Sequence, residues 1–344
     1  MANTTSNPHA DLEGAGLSEP LVAMPQSTFF GAPSCLDLDR FNAQVALLGL
    51  PYDQGSLIPY IRTGQAQGPR AVRANPTFLY SGNPFDGPAD PAKPSEGFHC
   101  VDDGKLYLNG VTMADIGDLV ITPGDLKRFV NTATTVARRI AEKQAVLVGV
   151  GGDHSITFPL IRGMEPWGKV DMVHFDAHFD IRDEVAGSRY SHSSGISRAA
   201  ELPFVGNITQ LGMRNMATQS SLDQVKKFGT TVVPAKQMHD RGAAACVEAH
   251  VPEAEFLYVT IDTDVFDWSI APGTALPEPG GLTLEQMREC MQVLVRKGRV
   301  VGFDITCLNP MVDTAFYGGI TTRLTSYTIA YFIGYIFDAQ QDTG

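Results

Sequence analysis

The amino-acid sequence predicts an α/β protein, a three-layer α/β/α sandwich built on a mainly parallel central sheet. Three observations carry that prediction. Short apolar runs alternate with helix-period stretches along most of the chain. The apolar runs end repeatedly in charged or turn residues, at Asp153/His154, Asp176/His178, Gly212/Arg214, Asp262/Asp264 and Asp304. And 344 residues, 43% hydrophobic and 19% charged, supply ample material for a core without staples.

Residues 1–25 are polar and rich in Gly, Pro, Ser and Asn, which reads as a flexible N-terminal arm ahead of a single domain over 26–344. QVALLGLP at 44–51 is a buried-strand run, followed by a glycine-rich loop and then GPRAVRAN at 68–75, which opens as a helix with Pro69 in its first turn. The loop between them, which contains SLIPYIR, is the first candidate for a substrate-lining segment. PFDGPADPAKPSEG at 84–97 reads as a surface excursion. From Pro123 to Lys143, Leu126, Phe129, Val130, Ala133, Val136, Ala137 and Ile140 recur at helical spacing, and the stretch feeds a strand in AVLVGVGGDHS at 145–155. VDMVHFDAHFD at 170–180 runs a strand pattern into His174, Asp176, His178 and Asp180, which face one way if the strand persists that far. Further helices are expected at 283–297 and 323–338.

The net charge of −12 and a pI near 5.1 argue against a nucleic-acid surface and favour a cationic or neutral small ligand. Five scattered cysteines, Cys35, Cys100, Cys246, Cys290 and Cys307, show no CxxC spacing, so neither a disulfide framework nor a cysteine zinc site is indicated. They fit a reducing cytoplasm. A basic, apolar leader and a membrane-length apolar run are both lacking, so no membrane partner is expected.

Three motifs fall where a parallel sheet gathers its strand C-termini: GGDHS at 151–155, DAHFD at 176–180 and DTD at 262–264. A set of imidazoles and carboxylates on one edge is too large for one ion that must also leave room for substrate, and it suits two divalent ions. Four ionised aspartates balance two such ions. The mechanistic use of a metal pair is to acidify and orient a shared water. His174 reads as a core histidine or one that backs a ligand, and Asp153 as a turn residue or a support for His154. Asp183 and Glu184 read as solvent-facing loop charges.

GGDHSIT, DAHFD, TIDTDVFDWSIAPGTALPEPGGLT and GFDITCLNP, with PYDQG, GQAQGPRAVR and DIGDL before them, resemble the motifs of the ureohydrolase family, the arginase and agmatinase group, in the family's order over about residues 40–335. The resemblance implies an arginase-like fold, two divalent ions, Mn2+ or Ni2+, and hydrolysis of a guanidine-type C–N bond that releases urea and an amine or ammonia. It places His154, Asp176, Asp180 and Asp262 on one ion, and His178, Asp176, Asp262 and Asp264 on the other. Asp180 would also act in catalysis by accepting a hydrogen bond from the attacking oxygen. His192, in YSHSSG, stands where the family keeps a loop histidine that contacts the substrate and protonates the leaving nitrogen. A homo-oligomer, trimer or hexamer, is implied, with pairing to a related second subunit as the alternative.

The chain departs from the family twice. SHSSGIS replaces the usual variants of SHGTPF, and Cys307 stands where the family places a glutamate that holds the guanidinium fork. A planar guanidinium matches a carboxylate bidentately, so losing the acid removes a specific partner. This favours a small or alkylated guanidine or biguanide, guanidine or metformin, beside a wall formed by Cys307 and Thr306. Tyr60 and Ile58 would line the entrance. An agmatinase- or guanidinobutyrase-type enzyme, or a poorly active subunit of a hetero-oligomer, is the alternative.

Overall fold

Every residue of the run Val45–Leu50 is buried, and in a computed structural model of the chain this run is the second strand of a nine-stranded sheet. The structure describes residues 7–56, 61–75, 94–214, 216–313 and 319–341. Tyr60 and Ile58, and most of the excursion at 84–97, lie outside the described residues.

In chain order the strands are β1 (Val22–Ala23), β2 (Val45–Leu50), β3 (Phe98–His99), β4 (Leu106–Tyr107), β5 (Met113–Leu119), β6 (Val146–Gly151), β7 (Val170–Phe175), β8 (Val205–Met213), β9 (Thr231–Pro234), β10 (Phe256–Asp262) and β11 (Arg299–Thr306). The helices are α1 (Gly68–Ala74), α2 (Leu126–Glu142), α3 (Thr157–Arg162), α4 (Gly195–Ala200), α5 (Gln219–Phe228), α6 (Ala235–Arg241), α7 (Ala243–His250), α8 (Leu284–Lys297) and α9 (Gly319–Gln341). The large sheet runs β1-β5-β2-β6-β11-β10-β7-β8-β9, with every neighbour pair parallel except β1 against β5. β3 and β4 form a separate hairpin pair.

Alternation along the strands divides the core into two layers. Val45 and Leu47 of β2 join one cluster with Met287 and Ile333 from α8 and α9, whereas Ala46, Leu48 and Leu50 join another with Phe129 and Val136 from α2 and Ile161 from α3. A sheet covered on both faces needs apolar residues at successive positions, which is why these strands read as unbroken apolar runs. α2 begins where Asp125 accepts the Arg128 N–H, and α8 begins in a reciprocal capping box between Thr283 and Gln286. Phe129 of α2 stacks on Tyr52 at 3.7 Å between ring centroids, and the Tyr52 carbonyl accepts the Asp153 N–H, so helix packing reaches directly into the site.

The DIGDL and GPRAVR motifs meet in one buried ion cluster. Arg73 of α1 donates through Nε and Nη2 to the two carboxylate oxygens of Asp115 in β5, at 2.9 and 3.0 Å, and also pairs with Asp118. Its guanidinium lies over the Phe29 ring at 3.9 Å. Removing Arg73 leaves the buried Asp115 without its cation, a loss of about 3–5 kcal/mol.

Residues 7–25, mostly exposed, are tied to the domain at separate points: Leu12 is buried, Asn131 of α2 donates to the carbonyls of Leu12 and Ala15, Ser18 donates its N–H to Thr132, and β1 closes the sheet edge. Each contact uses a single side chain or a backbone group, so the polar composition carried no periodic signal. The final helix also starts earlier than expected, at Gly319.

Candidate metal centre

The chain leaves β6 and re-enters the sheet as β7 three positions away, and β11 and β10 later fill the gap. The C-terminal ends of four neighbouring strands, β6, β11, β10 and β7, therefore share one edge, which is the expected position of a ligand crevice. One local device ends three of them. Asp153, Asp176 and Asp262 each accept the backbone N–H of the residue two positions on, from Ser155 at 3.0 Å, His178 at 2.6 Å and Asp264 at 2.9 Å. Such Asx turns end the strand and present the next side chain of the motif over the edge.

β7 stops at Phe175, so Asp176, His178 and Asp180 do not share a face by strand alternation. They converge instead through the turn, with Asp180 in the left-handed region at φ 42°. The result is a dense cluster. Nδ1 of His154 lies 3.1 Å from a carboxylate oxygen of each of Asp176, Asp180 and Asp262. Nδ1 of His178 lies 3.3 Å from Asp176 and 3.1 Å from Asp264. The six motif residues are thus brought together, around two imidazole nitrogens that share Asp176 between them.

The surrounding groups fix these side chains. Nε2 of His154 is 3.0 Å from the Thr260 hydroxyl, which donates to Asp304 at 2.6 Å; Tyr258 and Thr157 donate to the same carboxylate at 2.5 and 2.9 Å. Asp304, expected at a strand end, lies inside β11 and is wholly buried. His174 stands behind Asp176, 2.7 Å away through Nε2, and accepts from Gln210 at its other nitrogen. Asp153 holds Ser155 and Ser56, not His154. Glu278 lies 3.6 Å from Nε2 of His178. Arg214, at the end of β8, donates to the backbone carbonyls of Asp264, Glu278 and Pro279, clamping the loop that follows β10. Asp183 faces solvent, as expected, and also pairs at 2.7 Å with the fully buried Arg198.

Electrostatics identify what the cluster accommodates. Burial opposes a charge on His154, yet Asp176, Asp180 and Asp262 outweigh it and hold the imidazole well above its ordinary pKa. His178 is pushed up to about 12, against burial, by Asp264 and Asp176. Burial and the neighbouring Asp262 drive Asp264 well above the usual carboxylate range. Nδ1 of His154 is buried and has no hydrogen-bond partner, although three carboxylate oxygens surround it. An unpartnered imidazole nitrogen among carboxylates is the donor set of a divalent ion, so these residues fit a binuclear centre.

A cavity of about 190 Å³ opens over the cluster, lined by His178, Asp180, His192, Asp262, Asp264 and Cys307 among others. His192 lies in a single 3-10 turn, with Nδ1 2.9 Å from the Gly55 carbonyl. Cys307, just past β11, has φ 63° and packs with Ile61 and Ala275. Thr306 does not line this cavity; its hydroxyl points to Asp262 at 3.4 Å. Sequence reasoning did not single out Thr260, Gln210, Glu278 or Arg182, the last an exposed cation on the cavity wall.

A parallel-sheet edge carrying this acid and imidazole cluster is the layout of a metal-dependent hydrolase. The chain belongs to the arginase family, whose model matches residues 43–334, and it is an amidinohydrolase of the kind that acts on guanidino groups. It is similar to proclavaminate amidinohydrolase of Streptomyces clavuligerus, 29% identical over 291 residues, 82% of this chain and 84% of that one. Guanidinopropionase of Pseudomonas aeruginosa is 30% identical over 317 residues, 88% and 91% of the two chains. The solved proclavaminate amidinohydrolase structure aligns with TM-score 0.74 at 26% identity over 93% of this chain and 99% of that one. A formiminoglutamase variant of Trypanosoma cruzi solved with Mn2+ shares the fold alone, at 17% identity and TM-score 0.71 over 86% and 94% of the chains. Among the described residues no helix is long and apolar enough to cross a membrane.

Proposed function

We propose that this chain hydrolyses a small or alkylated guanidine or biguanide, of the guanidine or metformin type, to urea and an amine or ammonia. The carrying observation is the cavity wall. Its carboxylates, among the described residues, are Asp180, Asp262 and Asp264, all within the metal cluster, while the wall beside them is Cys307 with Ile61 and Ala275. Among the described residues that line the cavity, no acid outside the cluster is left to grip a guanidinium fork; Glu278 lies behind His178, 3.6 Å from its Nε2. The volume of about 190 Å³ is below that of typical drug-sized sites, roughly 300 Å³ upward, and suits a ligand of few heavy atoms.

His154, Asp176, Asp180 and Asp262 would hold one divalent ion, and His178, Asp176, Asp262 and Asp264 the other. Manganese and nickel both suit the mixed donor set. When bound, the pair supplies Lewis acidity and a water of lowered pKa. The chain's own groups do the rest. Asp180 accepts a hydrogen bond from the attacking water and orients it toward the guanidine carbon. His192 is held by its contact with Gly55 through Nδ1, which leaves Nε2 to protonate the nitrogen that departs as the C–N bond breaks. The apolar Ile61 and Ala275 exclude competing water from that side.

A second reading, a guanidinobutyrase-type enzyme acting on a guanidino acid, is favoured by Arg182 on the cavity wall, which would pair with a carboxylate tail. Urea release by the purified chain, loaded separately with manganese and nickel, distinguishes the two. Turnover of guanidine or metformin above agmatine, arginine and guanidinobutyrate is expected; preference for guanidinobutyrate supports the second reading. Silence on every substrate with both metals bound points to a required partner subunit. The enzyme is expected to work as a homo-oligomer in the cytoplasm.

A further inference from the structure

Cys307 is set apart from the other cysteines by its neighbours. Cys35, Cys100 and Cys246 reach a carbonyl or a tyrosine hydroxyl, and Cys290 is buried in an apolar core cluster. Cys307 instead faces the acid cluster. Its sulfur, a nitrogen of His154 and a carboxylate oxygen of Asp262 all lie within 4.8 Å of one another. Metal–sulfur and metal–nitrogen bonds of about 2.3 and 2.0 Å place two donors on one ion up to roughly 4.3 Å apart, so small adjustments bring all three onto a common ion.

The backbone delivers the sulfur there. The Cys307 N–H donates to the Gly152 carbonyl at 2.8 Å, and its own carbonyl accepts from Ala275 at 3.2 Å. The residue is thus held from both sides in the left-handed region, with φ 63°, a conformation most side chains avoid. An independent observation points to the same spot. Nδ1 of His154 is buried and unpartnered, and is directed at the oxygens of Asp262 and its neighbours.

We propose that Cys307 supplies a sulfur donor to the ion held by His154 and Asp262, biasing the centre toward nickel, cobalt or zinc and away from manganese. This rests on the two-ion reading above. As the sulfur–metal bond forms, the S–H bond breaks and its proton passes to solvent, with no change of oxidation state. Carboxylates alone leave manganese acceptable, whereas a thiolate prefers the softer ions. The same substitution that removes the family's carboxylate thereby changes the metal as well as the pocket.

The test loads metal-depleted protein with nickel and records X-ray absorption and the near-ultraviolet spectrum. Expected are a sulfur scatterer at about 2.3 Å and a sulfur-to-metal charge-transfer band, both absent from Cys307→Ser, which should still bind two ions. In competition, the nickel-over-manganese preference should fall at least tenfold in that variant. Two ions in the native chain with no sulfur scatterer overturn the proposal and leave the two-ion reading standing; failure to bind metal at all overturns both. Should Cys307→Ser not fold, alkylation of the native protein followed residue by residue decides: nickel should slow modification of Cys307 at least tenfold, and equal rates with and without nickel overturn the proposal.

Discussion

Nε2 of His154 lies 3.0 Å from the hydroxyl oxygen of Thr260, and that hydroxyl gives its proton to Asp304. The order of donation fixes the tautomer. With its own hydrogen committed to Asp304, the Thr260 oxygen can only accept, so His154 keeps a proton on Nε2, and Nδ1, among the carboxylates, is the nitrogen that would give up its proton to an ion. Thr260→Val keeps the shape and removes this control. Metal affinity should fall about 10–100-fold, read by competition with a chelating dye, while the fold persists. Unchanged affinity would mean that the relay does not orient His154.

Asp262 caps its own turn and faces His154, so it serves the strand end and the cluster together. Asp262→Ala should lose at least one of the two ions by metal analysis. Because the ions contribute several kcal/mol to the transition state, turnover should drop roughly 10³-fold or more. Full metal content with full activity sinks the ligand assignment.

The acids and imidazoles of the cluster were legible in the sequence because each sits at an abrupt end of an apolar run, where burial without a cation is too costly. Of their supports, only His174 was, as the histidine behind Asp176. Thr260 belongs to a strand that reads as ordinary core and Asp304 reads as one more strand end, and their joint role arises only when β10 and β11 pair, with Thr260 opposite Asp304. Arg214 looked like a generic strand-end charge, yet it collects carbonyls from a loop some fifty to sixty-five residues later. Such partnerships depend on topology, which local spacing does not encode. The ties of residues 7–25 were not legible for a related reason: Asp11 accepting from Tyr190 at 2.6 Å is a one-off tertiary contact within a polar stretch.

His192 lines the cavity and is held at Nδ1 by Gly55, but it contributes nothing to the cluster of metal donors. His192→Ala should therefore leave metal content unchanged and lower kcat by about 10²–10⁴-fold, the usual contribution of a positioned acid or base. Small neutral-pH rescue by added imidazole would support proton donation. Loss of metal along with activity would assign His192 to the centre instead.

The loop after β10 is held by Asp267, whose carboxylate accepts from the Ser269 hydroxyl and N–H and from the N–H groups of Gly280 and Gly281. Led by the Ser269 hydroxyl and opposed by burial, these bonds lower its pKa to about 2. A depressed carboxylate stabilises the fold fully above its unfolded value near ~4 and loses that contribution as pH falls toward 2. Asp267→Asn should cost about 1–2 kcal/mol at pH 7 by urea unfolding, with the gap to the native chain shrinking on acidification. A gap that stays constant down to pH 2 would place the effect elsewhere.

Cys307 gives the most direct handle on substrate choice, because it lies against both the apolar wall and the cluster. Cys307→Glu replaces the proposed sulfur donor with a carboxylate beside the cavity, outside the six acids and imidazoles of the cluster, so its metal content is measured alongside its substrate profile. A charge-assisted bond to guanidinium is worth about 1.5–3 kcal/mol, so the preference for agmatine or guanidinobutyrate over alkylated guanidines should rise roughly 10–150-fold. The neutral Cys307→Gln adds the same bulk against Ile61 and Ala275 without the charge, and should not reproduce the shift. If both variants move the preference equally, volume and not charge sets specificity here. If neither moves it, Cys307 does not meet the substrate, and Arg182 becomes the residue to change next.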